Sequence, residues 1–375
     1  MVVMHVIVGL NVGGAELMLM RLVTSKEHKT DNRYVVVSLT DLGPVAEQLL
    51  EHGIEVYALD MRRLFDVPMV FLRLKKLIKK LKPDIVQTWM YHADFIGGLA
   101  AYAAGVKRII WGIRSTDISK STAKATLWIR SFCAKLSYKI PSVIVCAAEK
   151  SRQVHVEIGY DATRMQVIPN GFDLTRLTAS AEEVDHFRMT YGLTREHVVI
   201  GCVGRFNPAK GFDIFISAAK QLRHFNSVVF LMVGRDLSSD NAQLMTWIDS
   251  TGCAERFILL GQRQDIPVCL AAMDIFCLSS RTEGFPNVVG EAMAMGCPCV
   301  VTDVGDAAVL VAETGVVVPS EDPTALAGAL AQMIVLPKSE RLQVGRDAQT
   351  RLYNNFSMAK CVERYDDLYN SLISR

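Results

Sequence analysis

Short β-branched runs alternate along the whole chain with segments whose apolar residues recur three and four apart. The first half offers strands at 2–8, 34–39, 54–59, 85–88, 108–113, 142–146 and 166–168. The pattern pauses at the turn-rich Pro169-Asn170-Gly171-Phe172-Asp173 and the polar stretch 178–185. It restarts with strands at 198–203, 228–233, 257–260, 275–278, 298–301 and 316–318. Strands apolar on both faces, separated by amphipathic helices, belong in parallel sheets covered by helices. The expected fold is therefore α/β, as two doubly wound Rossmann-like domains with a hinge near 170–195. Ligands of such sheets bind beyond the strand C-termini, which puts the expected active site in a cleft between the domains.

With 375 residues, half of them apolar, the chain has material for two such domains and shows no low-complexity tail. The net charge of +2 gives no ground for a nucleic-acid partner. The charge is divided, however: residues 1–180 hold 24 Lys+Arg against 16 Asp+Glu, the remainder 17 against 23. Opposite signs on the two halves point to different partners. The nine cysteines include Cys146, Cys202, Cys277 and Cys299 inside apolar strand-like runs, with no C-x-x-C pair. They read as small core residues of a reducing, cytoplasmic compartment. The N-terminus lacks the basic region and cleavage site of a signal peptide. No run reaches the roughly 18–20 apolar residues of a spanning helix.

Three motifs carry chemistry. Gly9-Leu-Asn-Val-Gly13-Gly14-Ala-Glu16 follows the first strand and opens a helix. It reads either as a phosphate loop, where glycine backbone and helix-start amides meet an anion, or as an ordinary strand–helix turn. Gly201-Cys-Val-Gly204-Arg205 with Lys210-Gly211 places two cations around the next helix start. That suits a diphosphate, the bland reading being two surface charges. The most specific stretch is Ser279-Ser280-Arg281-Thr282-Glu283-Gly284-Phe285-Pro286-Asn287-Val288-Val289-Gly290-Glu291. Two carboxylates flank a tight turn with amide donors between them. Such a loop suits a nucleotide sugar, with hydroxyls on the carboxylates and phosphate on backbone N–H groups. Two helix-surface glutamates alone leave the Gly-Phe-Pro-Asn turn unexplained.

In this order and spacing the motifs resemble the retaining glycosyltransferases of family 4, which have the GT-B fold of two doubly wound Rossmann-like domains facing across a cleft. The similarity covers nearly the whole chain, including the Pro169–Asp173 junction. It implies an acceptor-binding domain at 1–180, a nucleotide-sugar domain at 181–355, and a last helix at 356–375 that crosses back to the first domain. It further implies that Arg205 and Lys210 hold the donor diphosphate, with Gly13 and Gly14 approaching it. Glu283 would bond hydroxyls of the transferred sugar, aided by Gly284, Phe285, Pro286, Asn287 and Val288, and Glu291 would bind the ribose.

Two residues after expected strand ends are acceptor-side candidates. His92, in Trp89-Met-Tyr-His92-Ala-Asp94, is favoured as catalytic over a structural role. Arg114, in Trp111-Gly-Ile-Arg114-Ser115, stands where many members of the resembling family have a sugar-contacting histidine. It is expected to bind sugar or an acceptor phosphate. Within the resemblance, this variant belongs with transferases of O-antigen, capsule or lipopolysaccharide precursors, often with UDP-GalNAc- or UDP-GlcNAc-type donors. A hexosyltransferase of this kind needs no cofactor. The chain has no D-x-D motif, and Arg205 with Lys210 already supply positive charge, so no metal is expected. Retention without an evident nucleophile implies front-face attack, with the leaving diphosphate taking the acceptor's proton.

The stretch 68–82 is basic and amphipathic. Val70, Leu74, Leu77, Ile78 and Leu81 form a stripe apart from Arg73, Lys75, Lys76, Lys79, Lys80 and Lys82. It reads as a core-packing helix with a solvated face or as an attachment to anionic lipid, worth about 1 kcal/mol per basic residue. The second reading makes a lipid-linked saccharide the natural acceptor and the inner face of the plasma membrane the expected place of work. Two rivals stay open: a nucleotide-sugar epimerase on a similar scaffold, and a non-catalytic nucleotide-sugar sensor. A nicotinamide oxidoreductase would need a dinucleotide fingerprint that neither half supplies.

Overall fold

The computed structural model describes residues 1–29, 31–116 and 124–374. All thirteen expected strands form: β1 (Val2–Ile7), β2 (Arg33–Ser38), β3 (Glu55–Ala58), β4 (Ile85–Trp89), β5 (Ile109–Ile113), β6 (Val143–Cys146), β7 (Met165–Val167), β8 (Val198–Val203), β9 (Val228–Val233), β10 (Phe257–Leu259), β11 (Ile275–Leu278), β12 (Cys299–Thr302) and β13 (Gly315–Val318). They build two wholly parallel sheets, ordered β3-β2-β1-β4-β5-β6-β7 and β10-β9-β8-β11-β12-β13. In each, the first strand of the half lies beside the fourth, so the winding direction reverses between β1 and β4 and between β8 and β11. Strands that diverge at such a point leave a crevice beyond their C-terminal ends.

Alternation explains why the strands read as unbroken apolar runs. Val3 and Ile7 of β1 enter one core cluster, Met4 and Val6 the cluster on the opposite sheet face. Val199 of β8 joins one cluster of the second sheet, and Val198, Ile200 and Cys202 the other. All nine cysteines are buried and unpaired as disulfides.

The chain divides into two compact units: Met1–Gly171 with Met358–Arg375, and Phe172–Ser357. The last helix, Met358–Ile373, thus belongs to the first unit. Its Met358, Cys361, Tyr365, Leu368, Tyr369 and Leu372 fill the same cluster as Val3 and Ile7. Polar ties add to that seat: Asp366 meets His28 at 2.9 Å, and the Tyr369 hydroxyl donates to Gln87 Oε1 at 2.6 Å. Gly171 passes so close to this helix that a Cβ there would stand 2.7 Å from Cys361 Cβ.

Two stretches take a more definite form than their sequence did. Polar residues 178–185, within the expected hinge, open a helix at Ala181–Thr190: Ser180 caps the Glu183 amide and the Glu183 side chain accepts from the Ser180 N–H. The basic stretch forms the helix Val67–Leu81, with Val70, Leu74 and Ile78 buried and Leu77 and Leu81 half-buried. Arg73, Lys76, Lys79, Lys80 and Lys82 are exposed, and Lys75 is half-buried. No helix among the described residues is long and apolar enough to cross a membrane.

Candidate functional site

In the second unit the chemistry gathers where β8 and β11 end. Gly204 follows β8 and donates to Val233 O at 2.9 Å. Opposite it, Gly234 has φ +145, and any Cβ there would overlap the Gly204 carbonyl. Arg205 is exposed just beyond. Asn207 Oδ1 accepts from the Ala209 amide at 2.9 Å and sets the short turn Pro208–Lys210. Gly211 then takes φ +62 with its Cα against the Ser279 carbonyl, a place closed to any side chain.

The loops after β8 and β11 are joined. Arg281 N donates to Ala209 O at 2.7 Å, and Ser279 Oγ donates to Lys210 O at 3.0 Å. These ties bring Lys210 Nζ to 2.6 Å from Glu283 Oε1. The Ser280 hydroxyl donates to the same carboxylate oxygen at 2.7 Å. Ser280 is itself buried and fixed, its carbonyl accepting from Thr302 Oγ1 at 2.8 Å and Ser320 Oγ at 3.3 Å. Next to it, the Arg281 guanidinium grips Asp213 through two bonds of 2.8 and 2.6 Å and meets Glu321 at 2.9 Å. That grip holds the Asp213 carboxyl below the usual carboxylate range. Arg281 therefore anchors the loop from behind, while Lys210 and Glu283 remain partly exposed.

The turn beyond Glu283 is held on two sides. The Phe285 ring packs 6.1 Å from Phe172 and 6.0 Å from Phe356, and Val288 rests on the same cluster. On the other side, Gly284 O accepts from Asp306 N at 2.9 Å. Gly305, at φ +57, fits against the Gly284 carbonyl without room for a Cβ. Buried Pro286 precedes the helix Asn287–Ala294, and its carbonyl accepts from the Val289 amide at 3.0 Å. Glu291, half-buried, stands on its second turn. The second unit thus joins Lys210 to Glu283, and places Arg205 and the Gly284–Val288 turn on loops, and Glu291 on the helix that follows, beyond the C-terminal ends of one sheet. A fixed carboxylate, two cations and helix-start amides together can bind a ligand with both hydroxyls and phosphate.

The other candidates belong to the first unit. Gly13 precedes the helix Gly14–Val23. The Glu16 carboxylate folds over it, so that a Cβ on Gly13 would overlap Glu16 Oε2. Burial raises the Glu16 carboxyl above its usual range, countered by a bond to its own backbone amide. The helix start therefore already holds an anion from the chain. His92 is half-buried in the first turn of the helix Tyr91–Ala104, and burial lowers its imidazole below the ordinary range. That turn is entered through Met90 at φ +73, unusual for a residue with a side chain.

Arg114 is spent on the framework. Its guanidinium stacks 4.3 Å from the Trp89 ring centroid, donates to Asn170 Oδ1 at 3.0 Å, and bonds the Tyr365 hydroxyl. Trp89 Nε1 in turn donates to buried His5 at 3.1 Å. The expected ligand-binding arginine joins β5, the 169–173 turn and the last helix. Sequence reasoning assigned no role to Ser280, although it stands inside the quoted motif. Nor did it signal Asn170 or Tyr365 as partners of Arg114, since contacts between residues 56 and 251 positions apart leave no local pattern.

Comparison with known proteins agrees with this layout. The family model described as Glycosyltransferase Family 4 matches residues 12–176, and that described as Glycosyl transferases group 1 matches 197–335. The UDP-Gal:alpha-D-GlcNAc-diphosphoundecaprenol alpha-1,3-galactosyltransferase of Escherichia coli is 28% identical over 312 residues, 80% of this chain and 79% of that one. The lipopolysaccharide core biosynthesis mannosyltransferase LpcC of Rhizobium leguminosarum is 30% identical over 213 residues, 55% of this chain and 60% of that one. Among solved structures, Anabaena HepE in complex with UDP superposes with a TM-score of 0.86 at 22% identity, covering 99% of this chain and 100% of that one. Two family matches in succession, one in each unit, and a fold shared from end to end identify the chain: it belongs to the glycosyltransferases of family 4 and has their two-domain GT-B fold.

Proposed function

We propose that this glycosyltransferase moves a hexose or N-acetylhexosamine, with retention, from a uridine diphosphate donor to a lipid-linked oligosaccharide of a bacterial surface polysaccharide. The observation that carries the reading is the Lys210–Glu283 pair, with Ser280 on the same oxygen, at the reversal point of the second sheet. Without ligand, the ammonium and carboxylate satisfy each other. A diphosphate offers Lys210 a stronger partner, with Arg205 alongside, and releases Glu283 to accept from sugar hydroxyls. Glu291 takes the ribose, and the first amides of Asn287–Ala294 face phosphate.

Reaction breaks the bond from the anomeric carbon to the diphosphate oxygen and forms one to the acceptor oxygen. The acceptor's proton goes to the leaving diphosphate, and the two cations stabilise the charge that develops there, so the proposal includes no metal. Uridine and a lipid-diphosphate acceptor are supported by the Escherichia coli galactosyltransferase, and uridine also by Anabaena HepE, whose structures hold UDP and UDP-glucose. The Escherichia coli enzyme's UDP-galactose donor sets galactose beside the UDP-GalNAc and UDP-GlcNAc expected from the sequence. The acceptor falls to the first unit, where His92 is the candidate side chain. Exposed Arg73, Lys76, Lys79, Lys80 and Lys82, with Lys75, hold that unit to anionic lipid at the inner face of the plasma membrane.

Incubation with labelled UDP-galactose, UDP-glucose, UDP-GalNAc and UDP-GlcNAc plus a GlcNAc-diphospholipid separates the alternatives. Glycolipid product with an α-anomeric signal by NMR is expected. Isomerised nucleotide sugar would mark an epimerase, and donor binding without turnover a sensor. Lys210→Ala should weaken UDP binding about tenfold; unchanged affinity would remove Lys210 from the diphosphate site.

A further inference from the structure

The outer face of the first unit is asymmetric in a way the transfer reaction does not require. The helices Val67–Leu81, Tyr91–Ala104 and Lys124–Leu136 lie side by side, the first on the second and the second on the third. They cover one sheet face: Val70, Leu74, Ile96, Ala100 and Cys133 share a single core cluster. Across 67–82, 91–107 and 124–139 there is one carboxylate, Asp94, and it is fully buried. Lys76, Lys79 and Lys80 on the first helix, with Lys124, Lys135 and Lys139 on and after the third, are exposed.

The third helix shows the pattern most sharply. Lys124, Trp128, Phe132 and Lys135 recur at helical spacing on its solvent side, opposite buried Arg130, Cys133 and Ala134. Trp128 is 68% exposed and Phe132 49%. Phe65, 92% exposed, starts a similar stripe with Met69 and Leu72 on the first helix. The Phe132 ring lies 6.4 Å from Phe95, and the Lys139 ammonium stands 6.0 Å over Tyr102, so the second and third helices meet at the surface too. Scattered apolar residues on a surface need no explanation, but two stripes ringed by lysine, with partly exposed Asp66 beside Phe65 as the acid at their edge, do.

We infer that this three-helix face is a seat for an anionic lipid bilayer, with Trp128 and Phe132 entering the boundary between headgroups and acyl chains. The inference rests on the lipid attachment proposed above for the basic helix, and adds the part of the surface that inserts. Charge complementarity decides the occupant. A protein partner is matched by mixed charges and fixed shape, whereas the described residues of these three helices expose cations and no carboxylate. Its exposed cations are mainly lysines, flexible point charges that suit a fluid layer of anionic headgroups better than a rigid bidentate partner. Aromatic rings amid lysines on a surface helix are the composition of an interfacial anchor.

The four tryptophans supply the test. Trp89 and Trp111 are fully buried and Trp247 is half-buried against Phe206, which leaves Trp128 as the exposed indole. The full chain is mixed with phosphatidylcholine vesicles, with or without roughly 30% phosphatidylglycerol, carrying brominated acyl chains. Expected is quenching of tryptophan emission on the anionic vesicles, absent in Trp128→Phe although that variant still co-sediments. Trp128→Ser/Phe132→Ser should lower vesicle partitioning about tenfold, at low and high salt alike. Lys76→Gln/Lys79→Gln/Lys80→Gln should lower it at low salt only. Far-ultraviolet circular dichroism and thermal unfolding like those of wild type show that these variants are folded.

Bound wild type without quenching, or quenching that persists in Trp128→Phe, overturns the insertion. If the lysine variant loses binding while Trp128→Ser/Phe132→Ser binds like wild type, the electrostatic attachment stands and this inference falls. No binding by the wild type sinks both, as would a face that binds only a protein. Equal binding to neutral and anionic vesicles would overturn the choice of an anionic surface.

Discussion

The two units wind their sheets the same way and finish them differently. Beyond β8 and β11 the chain leaves a partly exposed ion pair, Lys210 with Glu283, and an exposed Arg205. Beyond β4 and β5 it places its cation, Arg114, on the Trp89 ring and ties it to Asn170 and Tyr365. One reversal point offers charges that a ligand can recruit, and the other has committed its charge to holding the last helix. The same winding therefore does not assign the same roles: what decides is which segments the charged groups at the strand ends tie together.

The sharpest way to break this contrast is to remove one charge from each unit. Glu283→Ala should lower turnover by about 10²–10³ while leaving thermal unfolding nearly unchanged, because in the proposed reaction the lost carboxylate serves bound sugar rather than the fold. Activity within a few fold of wild type would take Glu283 out of the site. Arg114→Ala should do the reverse in kind, costing about 1–3 kcal/mol of stability in denaturant unfolding as the stacked ring, Asn170 and the Tyr365 hydroxyl lose their partner. A variant that unfolds like wild type yet turns over a hundredfold more slowly would restore Arg114 to ligand binding.

Asp94 sharpens the contrast from within the first unit. On the helix Tyr91–Ala104 it is fully buried, accepts from the Thr88 hydroxyl of β4 at 2.5 Å and from the Gly112 amide of β5 at 3.3 Å, and has a second oxygen with no partner among the described residues. Burial pushes its carboxyl up to about 8. The folded state then keeps a proton that the unfolded chain releases near its ordinary value of about 4. Stability must fall as pH rises through that window and level off above it. In Asp94→Asn, whose amide can make the same two bonds, the fall disappears. The stability difference between variant and wild type should grow by up to about 1.4 kcal/mol per pH unit between roughly pH 4 and pH 8. Parallel stability curves would show that Asp94 is ionised in the fold.

What could be read in advance follows from the range of each interaction. All thirteen strands were visible because a parallel strand buried on both faces writes its own apolar run. The loop from Glu283 to Glu291 was visible because its turn chemistry lies within a few neighbouring residues. The part played by Arg114 was not, since its partners come from a distant turn and the last helix, and Tyr365 reads in sequence as one more core aromatic. The helix Ala181–Thr190 was missed for a local reason. Its capping box, Ser180 with Glu183, sits amid enough polar residues to imitate a linker.

The smallest expected effect tests the finest feature of the second unit. Ser280 donates to Glu283 Oε1 from a buried position, and its carbonyl is clamped by Thr302 and Ser320. We expect it to be a positioning residue that keeps the carboxylate aimed when Lys210 turns to the diphosphate. Ser280→Ala should reduce kcat about fivefold, near 1 kcal/mol, with the affinity for UDP unchanged. Because the serine acts through the glutamate, adding Ser280→Ala to Glu283→Gln should cost almost nothing more, whereas independent roles would multiply. A full fivefold loss in the double variant would show that Ser280 supports the loop generally, and the second unit's site would then owe its order to backbone ties alone.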